Sequence, residues 1–171
     1  MLDDYVPLGA PQTRLYYALR EAVPIIDAAV FKIVRLVGGF TVECGDKATQ
    51  RELRDFIEDV PVGGNRMGMS AFISSYLEQL LTCGTAVGEI ITDTQGTPRA
   101  LFNTPPDDIT LKRNKNGVDI DIFTGCGPGM RRVARQELCL LSVLDPQPGA
   151  LTGTSLLKGC LLYTSPSPRD R

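Results

Sequence analysis

The sequence predicts an α+β fold in which N-terminal helices are followed by an antiparallel β meander, and three observations carry that prediction. Apolar residues recur at helical spacing through the first half of the chain and alternate at the period of a strand through the second. The change falls at Cys83-Gly84, where a glycine can close a helix in the left-handed conformation. Composition agrees: 43% of the 171 residues are apolar, enough for one core, while 17 glycines and 12 prolines supply many turns and the absence of tryptophan leaves the core mostly aliphatic.

Residues 13–22, TRLYYALREA, have helix-forming composition, and Pro24 suits the first position of a second helix, where its missing N–H costs nothing. In PIIDAAVFKIVRLV the charged residues Asp27, Lys32 and Arg35 share an arc of about 140°, which predicts a deeply buried helix ended by Gly38-Gly39. FTVEC (40–44) reads as a short strand, and Asp46 as the N-cap of the next helix. That helix carries Leu53, Phe56, Ile57 and Val60 at i, i+3, i+4 and i+7, and Pro61 stops it. After the loop VGGNRMG, Ser70 is the expected cap of a further helix. Ile73, Tyr76, Leu77, Leu80 and Leu81 form its apolar stripe, with Ser74, Ser75, Glu78, Gln79 and Thr82 opposite.

The β-like segments TAVGEIIT (85–92), ALFNT (100–104), ITLKR (109–113) and VDIDIFT (118–124) are separated by DTQGTP, PPDD and NKNG, all turn compositions. Asn116-Gly117 is the strongest hairpin signal. Val118, Ile120 and Ile122 alternate with Asp119 and Asp121, as in a half-exposed strand. ELCLLSVL (137–144) reads as a buried strand, DPQPGALTGT as a loop, and Ser155 as the cap of a helix beginning SLLKG.

Chemistry is constrained by what is missing. Histidine is absent, which removes the commonest general base, the Ser-His and Cys-His pairs and all histidine metal sites. Cys44, Cys83, Cys126, Cys139 and Cys160 form no CxxC pair, so they read as reduced thiols of a cytosol rather than a zinc knuckle. No apolar run approaches the length of a membrane span. VGGNRMGMS lacks the GK[ST] ending of a phosphate loop, and in GALTGTS Thr154 stands where lysine is required, so both read as turns and caps. Gly68-Met69-Ser70 begins a nucleophile elbow, yet Phe72 replaces its second glycine. Asp107 and Asp108 are adjacent, so their carboxylates point apart and a turn is the better reading than a metal site.

The net charge of −2 gives no field to hold a polyanion, although basic residues gather toward the C-terminus. Arg131, Arg132 and Arg135 form the basic cluster, beside Lys112, Arg113 and Lys115. No aromatic residues interleave with it for base stacking, which favours solvated or inter-subunit arginines. No catalytic residue, cofactor or metal is expected. Two other classes stay open on the residues alone: a small cytosolic enzyme holding a phosphorylated ligand on the amides of the 63–70 loop, and a DNA-binding module using Arg131, Arg132 and Arg135.

Several stretches resemble the N-terminal part of tailed-bacteriophage portal proteins. AVPIIDAAVFKIVRLVGGF looks like the family's early helix. SAFISSYLEQLLTCGTAVGEIITDTQGTPRALFNTPPDDI looks like its helix–strand–strand passage, and RQELCLLSVLDPQPGALTGTSLLKG like its later strand and a loop ending in Gly-x-Ser-x-Leu. The likeness covers about residues 14–159 and implies a wing-like portal region over 1–159. It implies a structural subunit of a ring, usually twelve-fold, at one capsid vertex, through which double-stranded DNA passes in packaging and ejection. Its implied partners are further copies of itself, the terminase, the capsid protein and head–tail connectors, in the virion and in the host cytoplasm during assembly. Portal subunits are normally longer, and the stem and clip follow the region matched, so no DNA-contacting residue carries over. Residues 160–171, CLLYTSPSPRDR, resemble translated sequencing-adapter sequence and are expected to be a non-native tail outside the fold.

Overall fold

The structure, a computed structural model, describes residues 5–37 and 39–160; the expected non-native tail lies outside the described residues except for Cys160. A short strand β1 (Tyr5–Pro7) precedes four helices, α1 (Pro11–Ala22), α2 (Pro24–Val37), α3 (Lys47–Asp59) and α4 (Met69–Cys83). Six strands follow: β2 (Thr85–Thr92), β3 (Pro98–Asn103), β4 (Ile109–Arg113), β5 (Ile120–Thr124), β6 (Arg131–Arg132) and β7 (Cys139–Val143). The α+β class stands, and the antiparallel half resolves into two sheets, ordered β1-β4-β5-β6 and β3-β2-β7. Their inner faces share one core of Leu8, Val87, Ile109, Leu111, Ile122 and Leu151. The helices pack on the other face of β2, through Phe72 of α4 and the Val60, Val62 and Leu101 cluster. Tyr16, Leu19, Val30 and Leu157 join α1 and α2 to the segment after Ser155.

Local rules account for several boundaries. Pro11 and Pro24 open α1 and α2, and the Asp46 side chain accepts the Thr49 N–H at 2.8 Å at the head of α3. Gly84 closes α4 at φ 77°. At α4's other end the expected cap moves. The helix starts at Met69 with Gly68 as N-cap, because Gly68 at φ 90° donates to the Val60 carbonyl at 2.8 Å, and Ser70 is left exposed in the first turn. The Ser155 cap is present: its hydroxyl accepts from Leu157 N–H at 2.9 Å and donates to the Thr82 carbonyl at 2.6 Å.

Four expectations fail for tertiary reasons. Residues 40–44 are exposed and make no strand, because no edge lies beside them. The second helix, expected to be deeply buried, is largely exposed: only Val30 and Val34 are buried, while Ile25 is 77% and Leu36 76% exposed. The last strand is half-buried because it has a single neighbour, β2. Val118 is 80% exposed in the hairpin loop ahead of β5, although Ile122 keeps the expected inward alternation.

The face assigned to α4 also changes. Its fully buried residues are Phe72, Gln79 and Thr82, and the expected stripe is half-buried. This helix lies between the β2 sheet and the α1–α2 pair, so both sides are covered. The buried polar groups are satisfied: Gln79 Nε2 donates to the Thr104 carbonyl at 3.0 Å, and Thr82 Oγ1 accepts from Arg20 Nη1 at 2.9 Å. Phe72→Ala should therefore cost about 3–5 kcal/mol. Leu77→Ala should cost only about 1–2 kcal/mol, in proportion to its partial burial. Urea unfolding of the two variants checks the order; an equal or reversed cost refutes this packing.

The glycines of CGTAVG and LTGTS meet back to back. A Cβ on Gly84 would lie 2.6 Å from the Thr154 carbonyl carbon, and one on Gly153 would overlap the Gly84 carbonyl oxygen and the Leu144 backbone. Around the crossing, Leu144 N–H donates to Gly84 at 2.8 Å and Thr154 N–H to Leu144 at 2.6 Å, while Gly153 N–H reaches Thr85 Oγ1 at 2.9 Å. Gly84→Ala should cost at least about 3 kcal/mol, adding a backbone clash to left-handed strain. Gly96→Ala, at φ 87° with nothing within 4 Å of its added carbon, should cost only the strain, about 1–2 kcal/mol. Equal losses in chemical denaturation would show that the crossing carries no special weight.

Candidate functional site

The three arginines singled out by the sequence lie at the free end of the four-stranded sheet, but they do not form one positive patch. Register places Arg132 opposite Phe123 and Arg131 opposite Thr124 at the edge of β5. Arg132 Nη2 donates to Asp121 Oδ1 at 2.7 Å, and Arg135 pairs with Glu137 at 3.1 Å and donates to Thr92 Oγ1 at 3.2 Å. Arg131 is exposed and has no side-chain partner among the described residues. Two of the hairpin cations also have partners. Lys112 donates to the Tyr5 hydroxyl at 3.2 Å and sits 4.2 Å from that ring's centre, and Arg113 donates to the Gly149 carbonyl at 2.7 Å. The carboxylates of Asp121 and Glu137 locally offset the charges of Arg132 and Arg135.

The Arg132 hydrogen bond and charge hold the Asp121 carboxyl below the ordinary carboxylate range, with Asn114 assisting. Glu137 is also held low, first by its own backbone N–H and then by Arg135. A carboxylate whose folded pKa is depressed stabilises fully above its unfolded value and loses that contribution as pH falls through the folded one. The window lies below about pH 4. Asp121→Asn should thus flatten the acid limb of a stability–pH curve and leave its slope between neutral and mildly alkaline pH unchanged; superimposable acid limbs would rule the pairing out as a stabilising contact.

The loop considered for phosphate is closed on itself by backbone hydrogen bonds. Val62 N–H donates to Arg66 at 3.0 Å, Arg66 N–H to Gly63 at 3.0 Å, and Gly68 N–H to Val60, while Pro61 bridges Met67. Gly153 of the second glycine-rich stretch is consumed by the backbone crossing. Burial pushes the Cys83 thiol up, so it stays protonated beside the Tyr17 hydroxyl at 3.5 Å. The adjacent carboxylates do diverge: Asp107 pairs with Arg14 at 3.3 Å, and Asp108 lines a different surface.

That surface was not legible in the sequence. Between the two sheets lies a cleft of about 390 Å³, floored by Val87, Ile109, Ile122 and Val133 and rimmed by Glu89, Asp108 and Phe102. The Glu89 and Asp108 carboxylates have no hydrogen-bond or ion-pair partner among the described residues. On the helical side, Arg20, only 12% exposed, gathers α1, α2 and α4 by pairing with Asp27 at 2.6 Å and Glu78 at 3.7 Å.

No protein-family model matches the sequence, and no curated protein matches it. The fold, however, has solved counterparts. The chain is similar in fold to a protein of a gene transfer agent particle. In a structure described as the virion of a native gene transfer agent particle, a chain matches with a TM-score of 0.66 and 15% identity, over 94% of this chain and 48% of that one. A chain in the neck of an empty particle, computed with C6 symmetry, matches with a TM-score of 0.66 and 16% identity over 91% of this chain and 43% of that one. One in the neck of a native particle, computed with C12 symmetry, gives 0.64 and 15% over 94% and 47%. This chain therefore spans slightly under half the length of these counterparts. At such low identity the shared property is the fold, helices on one face of β2 and a second sheet on the other.

Proposed function

We propose that this chain is the wing-like region of a portal subunit, a structural ring component at the DNA vertex of a phage-like particle. The observation that carries the reading is the fold match over 94% of the chain to a component of a particle neck treated with C12 symmetry. The sequence resemblance to portal proteins points the same way from independent features, the order and spacing of its motifs. The charge distribution supports a part that does not grip DNA: a net charge of −2, with Arg132 and Arg135 already paired to carboxylates. Two amides of the 63–70 loop, those of Arg66 and Gly68, already donate to backbone carbonyls, which weighs against the phosphate-binding enzyme, and the same arginine pairs weigh against the DNA-binding module. In this role the partners are further copies of the subunit, the terminase, the capsid protein and head–tail connectors, with motor work left to the terminase.

Negative-stain electron microscopy of the protein expressed from an uninterrupted reading frame containing residues 1–159 tests the proposal. A closed cyclic ring is expected, because head-to-tail contacts that turn by a fixed angle must close. The purified protein should neither bind nor hydrolyse ATP. A monodisperse species that is not a ring, or ATP turnover, would sink the assignment.

A further inference from the structure

The outer face of α2 and the cleft between the two sheets are complementary halves of one contact, and we propose that α2 of one copy of this chain docks over the cleft of the next, head to tail. The inference rests on the ring reading above and names the surfaces that would join its subunits.

The helix α2 uses Ile26, Val30 and Val34 inside the molecule and leaves a second apolar stripe outside. Ile25, Ala29, Ile33 and Leu36, at i, i+4, i+8 and i+11, are all exposed. Two cations, Lys32 and Arg35, adjoin the stripe. Neither has an ion-pair partner among the described residues, and Arg35 rests over the Phe31 ring at 4.6 Å. A stripe of large aliphatic residues in water beside unpaired cations has the make-up of a contact surface. The cleft offers the converse: an apolar floor, exposed Phe102 at its rim, and the unpaired carboxylates of Glu89 and Asp108.

The two surfaces face opposite ways. Gly88 and Ile90 turn toward α4, on whose far side α2 packs, whereas Val87, Glu89 and Ile91 turn toward the cleft. One chain cannot bring its own α2 to its own cleft. A symmetric pairing is also unfavourable: stripe on stripe sets Lys32 and Arg35 against their copies, and cleft on cleft sets carboxylates together. Only the α2-to-cleft contact matches apolar with apolar and cation with carboxylate, and a contact between two different patches propagates as a ring or filament.

The test is sedimentation velocity of the 171-residue chain and two charge-reversed forms, Lys32→Glu with Arg35→Glu, and Glu89→Lys with Asp108→Lys. The parent chain should associate in a concentration- and salt-dependent way. Each reversed form alone should associate about tenfold or more weakly. An equimolar mixture should associate again, because every contact between unlike forms restores opposite charges, a rescue that misfolding could not produce. A monomeric parent at the highest attainable concentration, indifference to the reversals, or no rescue on mixing overturns the proposal. A closed ring of the longer protein that ignores all four charges overturns this contact and leaves the ring reading standing. Charge-dependent association that never closes overturns the ring reading and leaves the contact.

Discussion

Two backbones cross without side chains at Gly84 and Gly153, and the rest of the architecture is hung on that crossing. Gly84 ends α4 and turns the chain into β2, so the relation of the helical layer to the sheets is set there. The segment from Gly153 to Leu157 passes over the junction, bonding to Thr85, Leu144, Thr82 and Leu81 in turn. Leu151 before it enters the inter-sheet core, and Leu157 after it enters the helical core. One passage thereby joins two hydrophobic clusters that share no strand or helix.

The central helix α4 shows how polar residues become interior residues. Covered by a sheet on one side and by two helices on the other, it has few positions left for solvent, and its buried Gln79 and Thr82 are held by Thr104, Arg20 and Ser155. The guanidinium of Arg20 serves three helices from a nearly buried position, and its charge is answered by Asp27 and Glu78. Removing one member of such a group leaves the others with unmet hydrogen-bonding capacity, which is why these contacts specify the helix arrangement more than they add to stability.

The surface follows a different logic. Neighbouring arginines are paired separately: Arg132 meets Asp121 of β5, and Arg135 meets Glu137 two residues along the chain. Cations along α2 and carboxylates at the cleft, all without an ion pair among the described residues, are separated by the thickness of the β2 sheet and α4. Opposite charges on opposite faces suit stacking in one direction, and arginines paired to carboxylates are poorly suited to gripping a polyanion. The likeness to much longer particle proteins at 15–16% identity fits a fold specified by apolar periodicity and a few backbone constraints.

By itself the sequence determined what depends on neighbours along the chain. Helix-forming composition marked α1 and apolar spacing α3 and α4, Asp46 and Ser155 marked caps, Gly84 marked a stop, and alternation marked β2, β4 and β5, because capping, helical period and strand period are properties of a few consecutive residues. It also excluded histidine chemistry outright. Only the tertiary structure decided that residues 40–44 have no strand partner, that α2 is largely exposed, that polar letters of α4 are buried, and that Gly153 serves a crossing rather than a phosphate. It likewise decided that Arg132 and Arg135 of the arginine cluster are paired to carboxylates and that Glu89 and Asp108 rim one cleft. Strand pairing and burial depend on groups dozens of residues away, and no local pattern records which of them will arrive.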